Sequence, residues 1–170
     1  MITVIKLSNH DLPALVSISR ETFRETFAKD NSPENMQQYL DENLSPEKLA
    51  AELNNKDSEF YFALEADKII GYLKTNRGAA QTTAQDDSYL EIERIYVLKD
   101  YHGKQAGQIL FDKALSRARE LGMTHIWLGV WEKNPRAIAF YSKNGFTVFD
   151  THVFVLGDDR QTDILMKRPV

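Results

Sequence analysis

The chain has 170 residues and no cysteine. That absence excludes a disulfide framework, a thiolate metal site and covalent catalysis through a cysteine thioester. No apolar run approaches the ~20 residues that span a bilayer, so no membrane partner is expected. The opening MITVIKLSNH lacks the basic and apolar regions of a signal peptide, and the expected location is cytoplasmic. Positive charge is also in short supply. Lys and Arg number 21 against 25 Asp and Glu, a formal net charge of −4, which disfavours a nucleic-acid partner. The four histidines, His10, His102, His125 and His152, are scattered without metal-ligand spacing, so no metal is expected. Neither a Gly-x-Ser-x-Gly elbow nor a Lys-bearing phosphate loop occurs. No internal repeat or low-complexity tract interrupts the chain, and residues 1–170 read as one domain with enough apolar content to bury a core.

What is present is concentrated between Tyr89 and Gly122. Leu90, Ile92, Ile95, Tyr96 and Val97 have the composition of a buried strand. A turn at Asp100-Tyr101-His102-Gly103 follows. Then Ala106, Ile109, Leu110, Ala114, Leu115, Ala118 and Leu121 recur at the spacing of one helix face, and Gly122 supplies a left-handed cap. A helix N-terminus carries unpaired N–H groups and a partial positive charge, so a loop leading into one suits a phosphate. Gly103 and Gly107 remove Cβ atoms where an anion must approach the backbone, and Lys104 adds a mobile cation. Strand–glycine–helix joins also occur for packing alone, so these residues leave both readings open.

Around this segment the pattern gives a strand at Ile2 to Leu7 and a helical stripe from Leu12 to Phe27. Helices restart at Ser32-Pro33 and Ser45-Pro46. Phe60 to Leu64 and Lys68 to Thr75 read as paired strands, and the polar run Gly78 to Ser88 as a mobile loop. His125 onward reads as a strand, then a short helix capped by Asn134 with Pro135 at its first position. Thr147 to Leu156 and Thr162 to Lys167 close the chain as two strands. The order β-ααα-β-β-β-α-β-α-β-β mixes hairpins with one helical crossover, which predicts a mixed, mostly antiparallel α/β sheet flanked by helices.

The stretch His102-Gly103-Lys104-Gln105-Ala106-Gly107 resembles the Gln/Arg-x-x-Gly-x-Gly/Ala loop of the GNAT N-acetyltransferases. His102 replaces the usual Gln or Arg, and Gln105 the usual first Gly. A second block, Asn134, Ala137, Phe140, Tyr141, Gly145 and Phe146, resembles the family's Asn-x-x-Ala-x-x-Phe/Leu-Tyr-x-x-x-Gly-Phe stretch. The resemblance implies the GNAT fold, with a sheet that splays where acetyl-CoA enters. It also implies coenzyme contacts from Ile95, Tyr96, Val97, His102, Gly103, Lys104, Gln105, Ala106, Gly107 and Gln108. Asn134 and Lys143 resemble further contacts, with a helix cap and a solvated surface role as alternatives. Tyr141 corresponds to the tyrosine that protonates the coenzyme sulfur, the alternative being a core aromatic beside Phe140.

Acetyl transfer to an amine needs a base, because a free alkylammonium has a pKa near ~10. Glu91 and Glu93 lie two apart on one strand face beside the loop, and either could deprotonate the amine. Solvated carboxylates or pairing with Arg94 are the structural alternatives. Some family members carry a base in a Leu-x-Glu-Val pattern where this chain has Leu128-Gly129-Val130. Gly129 cannot be a base, but its missing side chain opens space for substrate, and Glu132 is a nearby third candidate.

Acidic residues outnumber basic ones in the N-terminal helical arm, which the resemblance places beside the acceptor site, so Glu25 and Asp30, together with Glu91, are expected to hold a cationic acceptor. The run from Glu21 to Leu53 resembles bacterial proteins related to the PaiA-type spermidine/spermine acetyltransferases. The expected partner is therefore a small-molecule amine, and a polyamine by that likeness. A homodimer is compatible with the sequence. Two rival readings stand beside this one: a protein or peptide N-acetyltransferase, and a non-catalytic module that holds acetyl-CoA.

Overall fold

In a computed structural model, which describes residues 1–170, seven strands form one open sheet in the order β1-β2-β3-β4-β5-β7-β6. They are β1 (Ile2–Lys6), β2 (Ser58–Glu65), β3 (Lys68–Asn76), β4 (Tyr89–Val97), β5 (His125–Trp131), β6 (Thr147–Leu156) and β7 (Asp159–Pro169). Five helices flank it: α1 (Leu12–Phe27), α2 (Pro33–Asn43), α3 (Pro46–Leu53), α4 (Ala106–Glu120) and α5 (Pro135–Lys143). The order is the one expected from the sequence. Only β4 and β5, joined through α4, run parallel, and every other pairing is antiparallel. No helix is long and apolar enough to cross a membrane.

Local chemistry sets the helix starts. Ser32 and Ser45 accept hydrogen bonds from the amides of Asn35 and Lys48, each at 3.1 Å. Pro33 and Pro46 follow at positions whose N–H would have no helical partner. The apolar stripes then divide between two cores, one on each face of the sheet. α4 and α5 close one core over Leu90, Ile92, Ile126, Leu128 and Met166. α1, α2 and α3 close the other over Phe60, Phe62, Tyr72 and Trp131.

One irregularity shapes the site. β3 pairs Lys74 with Arg94 and Thr75 with Ile92, so Glu93 is an extra residue on β4, a β-bulge. Before it, Leu90 and Ile92 face the α4 core; after it, Ile95 and Val97 do. The bulge thus shifts the alternation by one residue. It also bends β4 away from β5, because parallel pairing stops at Ile92↔Leu128. Beyond that point the two strands splay.

The β3–β4 approach depends on Gly71, where an added Cβ would stand 2.5 Å from the backbone oxygen of Tyr96. Gly71→Ala is expected to lower stability by about 1–3 kcal/mol, since backbone must move to admit one methyl. Denaturant unfolding at pH 7 checks it.

The polar run Gly78 to Ser88, expected to be mobile, is pinned instead. The Trp127 indole N–H donates to Gln81 Oε1 at 2.7 Å, and both the amide and the hydroxyl of Thr82 donate to Glu91.

Candidate active site

The splay leaves the β5-facing edge of Ile95, Tyr96 and Val97 without strand partners, opening a slot through the sheet. At its mouth, β4 passes through a short turn into α4. Gly103 takes φ +79° and Gln105 takes φ +66°, both in the left-handed region. Gln105 therefore adopts the backbone that usually calls for glycine, at the position where the loop pattern it resembles has one. The first helical hydrogen bond is donated by Ile109 to Gln105, so the amides from Gly103 to Gln108 have no acceptor within the chain. These are consecutive free N–H groups at a helix N-terminus, the arrangement that takes up an anion. Added Cβ atoms at Gly103 and Gly107 would meet nothing within 4 Å, so the space beside the loop is open.

Side chains brace this loop. His102 Nε2 lies 2.8 Å from the Val97 carbonyl oxygen, tying the turn back to β4. Gln108 Nε2 donates to Asn144 Oδ1 at 3.0 Å, joining α4 to the end of α5. The Lys104 ammonium lies 5.2 Å from the centre of the Tyr101 ring. Ala106 is buried and anchors the first turn in the core.

α5 begins with Asn134, whose Oδ1 accepts from the Ala137 amide at 3.2 Å. Asn134 is thus occupied as a helix cap, and Lys143 is exposed on the last turn. Tyr141, 7% exposed, sits between Phe140 and Phe146 with ring centroids 5.4 and 5.7 Å away. Burial alone pushes its hydroxyl well above the ordinary range, and no hydrogen bond or charge holds it. It is close enough to Tyr96 to disfavour ionisation there as well. A hydroxyl in that condition stays protonated across the working pH range and so is present as a proton donor.

Both glutamates are engaged by neighbouring side chains, Glu93 by Arg94 among them. Glu93 Oε1 lies 2.6 Å from Lys74 Nζ, and Glu93 Oε2 lies 2.9 Å from Arg94. Burial opposes its charge, but Arg94, Lys74 and Asn76 outweigh burial and hold the carboxyl down at about 2. The Lys74 and Arg94 cations that hold it also pair with Glu52, and this engagement disfavours Glu93 as a base for an amine. Glu91 is 2% exposed; burial raises its carboxyl against hydrogen bonds from Asn76 and Thr82. It sits where β4 and β5 are still paired, opposite Trp127, with both oxygens engaged. Its carboxylate fastens the loop after β3 through Thr82.

Sequence reading missed Asp163 on β7. Its pair partners are Trp131 on β5 and His152 on β6. An added Cβ on Gly129 would stand 3.4 Å from Asp163 Oδ2 and 3.3 Å from Leu165. The carboxylate therefore lies beside the bare Gly129 backbone, on the splayed part of β5. Burial pushes it up to about 6, with only the charge of His152 opposing, and it has no ion-pair partner. The Leu-Gly-Val pattern was the available signal, since a glycine in a strand marks a close approach of something else.

Glu25 and Asp30, expected together with Glu91 around a cationic acceptor, are in separate surroundings. Glu25 accepts the Lys99 amide at 2.9 Å and so braces the turn after β4. Asp30 lines an open polar depression of about 680 Å³ with Lys29, Asn31, Ser32, Asn35, Asp158 and Asp159. Gln161 joins that depression to β7, donating to Asn31 and Asp159 at 2.8 and 2.9 Å. No three His, Asp or Glu side chains converge as a metal site.

Residues 12–146 match the model of the acetyltransferase (GNAT) family. An uncharacterised N-acetyltransferase of Lactobacillus delbrueckii subsp. lactis is 45% identical over 167 residues, covering 98% of this chain and 96% of that one. A spermidine N(1)-acetyltransferase of Thermoplasma acidophilum is 30% identical over 154 residues, 88% of this chain and 91% of its own. The crystal structure of the PaiA N-acetyltransferase from T. acidophilum in complex with coenzyme A superposes with a TM-score of 0.83. It is 29% identical and covers 100% of this chain and 99% of its own. The splayed β4–β5 pair, the amide-lined loop and these likenesses agree: the chain belongs to the GNAT acetyltransferase family.

Proposed function

We propose that the chain moves an acetyl group from acetyl-CoA directly to a primary amine, and that the acceptor is a small polyamine. The observation that carries the transfer reading is the run of free amides from Gly103 to Gln108 at the mouth of the β4–β5 splay, with Tyr141 on the adjacent helix. The amides take the coenzyme's pyrophosphate. The unpaired edge of Ile95 to Val97 accepts the pantetheine arm, which brings the thioester into the splay. Tyr141 gives its proton to the departing thiolate. With no cysteine to carry an acetyl group, the amine attacks while the coenzyme is still bound.

The polyamine reading rests on the likeness to a spermidine acetyltransferase and on the acidic depression holding Asp30, Asp158 and Asp159. Asp159 and Asp163 are both on β7, four positions apart, and share a face by strand alternation. A polycation whose reacting amine reaches the splay can leave a second ammonium beside Asp30 and Asp159. Attraction between several charges is screened over roughly 8 Å at physiological ionic strength. The KM for spermidine is therefore expected to rise about threefold from low to physiological salt, while that for a singly charged amine stays nearly constant. Steady-state kinetics with both amines tests it. Equal salt dependence, or no preference for spermidine over a monoamine, would remove the polyamine and leave the acetyl transfer.

A further inference from the structure

We propose that Asp163 is the general base that takes the proton from the acceptor amine. The assignment rests on the acetyl-transfer reading above and names the group that reading leaves open. The two faces of the sheet carry different groups. On β5, Ile126, Leu128 and Val130 face the α4 core together with Tyr141; on β7, Ile164 and Met166 do the same. The alternate residues, Gly129 and Trp131 on β5 with Asp163 and Leu165 on β7, face the opposite side, where Trp131 packs into the α1–α2 core. A thioester lying in the slot between β4 and β5 therefore has Tyr141 and the coenzyme loop on one face and Asp163 on the other. The amine must come from the face that the coenzyme does not fill.

Gly129 makes the carboxylate reachable. It is exposed, and a side chain there would run into Asp163 and Leu165 at 3.4 and 3.3 Å. Its bare backbone leaves Asp163 open to the slot. The other carboxylates of this region are engaged, Glu93 and Glu52 with Lys74 and Arg94, and Glu91 with Asn76 and Thr82. Asp163 has no such partner. The titratable groups facing it are His152 from β6 and Tyr39 from α2, with Arg94, Glu93 and Glu52 behind Tyr39.

The step balances with the groups present. The ammonium passes one proton to the Asp163 carboxylate, and the freed lone pair forms the C–N bond to the thioester carbonyl. The C–S bond breaks, and the thiolate takes the Tyr141 proton. The second proton on nitrogen leaves to solvent as the amide forms, Tyr141 is reprotonated from solvent, and Asp163 returns its own proton there. Burial brings the basicity of Asp163 nearer to that of an amine than an ordinary aspartate's would be, which favours the transfer.

The test is Asp163→Asn in the full chain, assayed with saturating acetyl-CoA and a primary amine from pH 5 to 10. The wild type is expected to show an acid limb in kcat/KM for the amine near pH 6. In the variant, kcat/KM at pH 7.5 should fall about 100-fold or more, and the residual rate should climb with pH as the amine sheds its own proton. Affinity for acetyl-CoA, by calorimetry, should be unchanged. The variant is also expected to fold well. A raised carboxyl binds its proton more tightly in the folded chain, so the wild type loses stability as pH rises through about 6. Asparagine removes that loss, and its melting temperature at pH 8 should be equal or higher. An active wild type with an equally active variant, keeping the same acid limb, would overturn the role of Asp163 alone. A wild type that binds acetyl-CoA but acetylates no amine would overturn the acetyl-transfer reading and this role with it.

Discussion

Gly107→Val is expected to abolish useful binding of acetyl-CoA while leaving the fold intact. The reason is the contrast between the two sides of the loop. A Cβ at Gly107 meets nothing of the protein within 4 Å, so valine fits the folded chain. Gly107 lies in the first turn of α4, where valine is no worse a helix former than glycine. The open space is, however, where the pyrophosphate must approach the amides from Gly103 to Gln108. A branched side chain there holds the anion away from several charge-assisted hydrogen bonds, each worth about 1.5–3 kcal/mol. Losing two of them weakens binding by about 100-fold or more. Calorimetry with acetyl-CoA on a variant of unchanged melting temperature is the check. Wild-type affinity would move the coenzyme elsewhere.

Tyr141→Phe is expected to lower kcat by about 100-fold, with KM for acetyl-CoA changed by less than about twofold. The substitution keeps the ring between Phe140 and Phe146 and removes only the hydroxyl. That hydroxyl has no hydrogen-bonding group to hold it, so its loss leaves no partner unsatisfied, and stability should be unchanged or slightly higher. The two variants therefore fail differently, one in binding and the other in turnover. Turnover equal to wild type would make Tyr141 a core aromatic and give the protonation of the thiolate to water.

The parts of this site that were legible in the sequence are those whose physics is local. The element order followed from apolar periodicity and from capping at Ser32, Ser45 and Asn134. The β4–α4 join followed from Gly103, Gly107 and the helix stripe behind them, and the family likeness rested on that join and on the block around Tyr141. Contacts between residues distant along the chain were not legible. For Glu93 the sequence shows Arg94 beside it, but not Lys74 brought onto it from β3, nor the bulge that sets its place on β4. Glu91 looked available because its ties to Asn76 and Thr82 depend on the β3–β4 register and on a loop pinned by Trp127. Asp163 could not be found at all from its neighbours in sequence. It reaches the splay only because Leu165 on β7 pairs with Gly129 on β5, the β6–β7 hairpin having folded β7 back between β5 and β6. The acidic arm was read correctly as acidic, but helix geometry sends Glu25 to the turn after β4 and Asp30 to the turn between β6 and β7.

The central claim is direct transfer from acetyl-CoA to an amine held in the same complex. Initial rates of thiol release, measured while acetyl-CoA and spermidine are varied together, test it most directly when the product is weighed by mass spectrometry. The account predicts intersecting reciprocal plots and an amine heavier by one acetyl group. Coenzyme binding without amine-dependent thiol release, or parallel plots that require an acetylated protein intermediate, would contradict it.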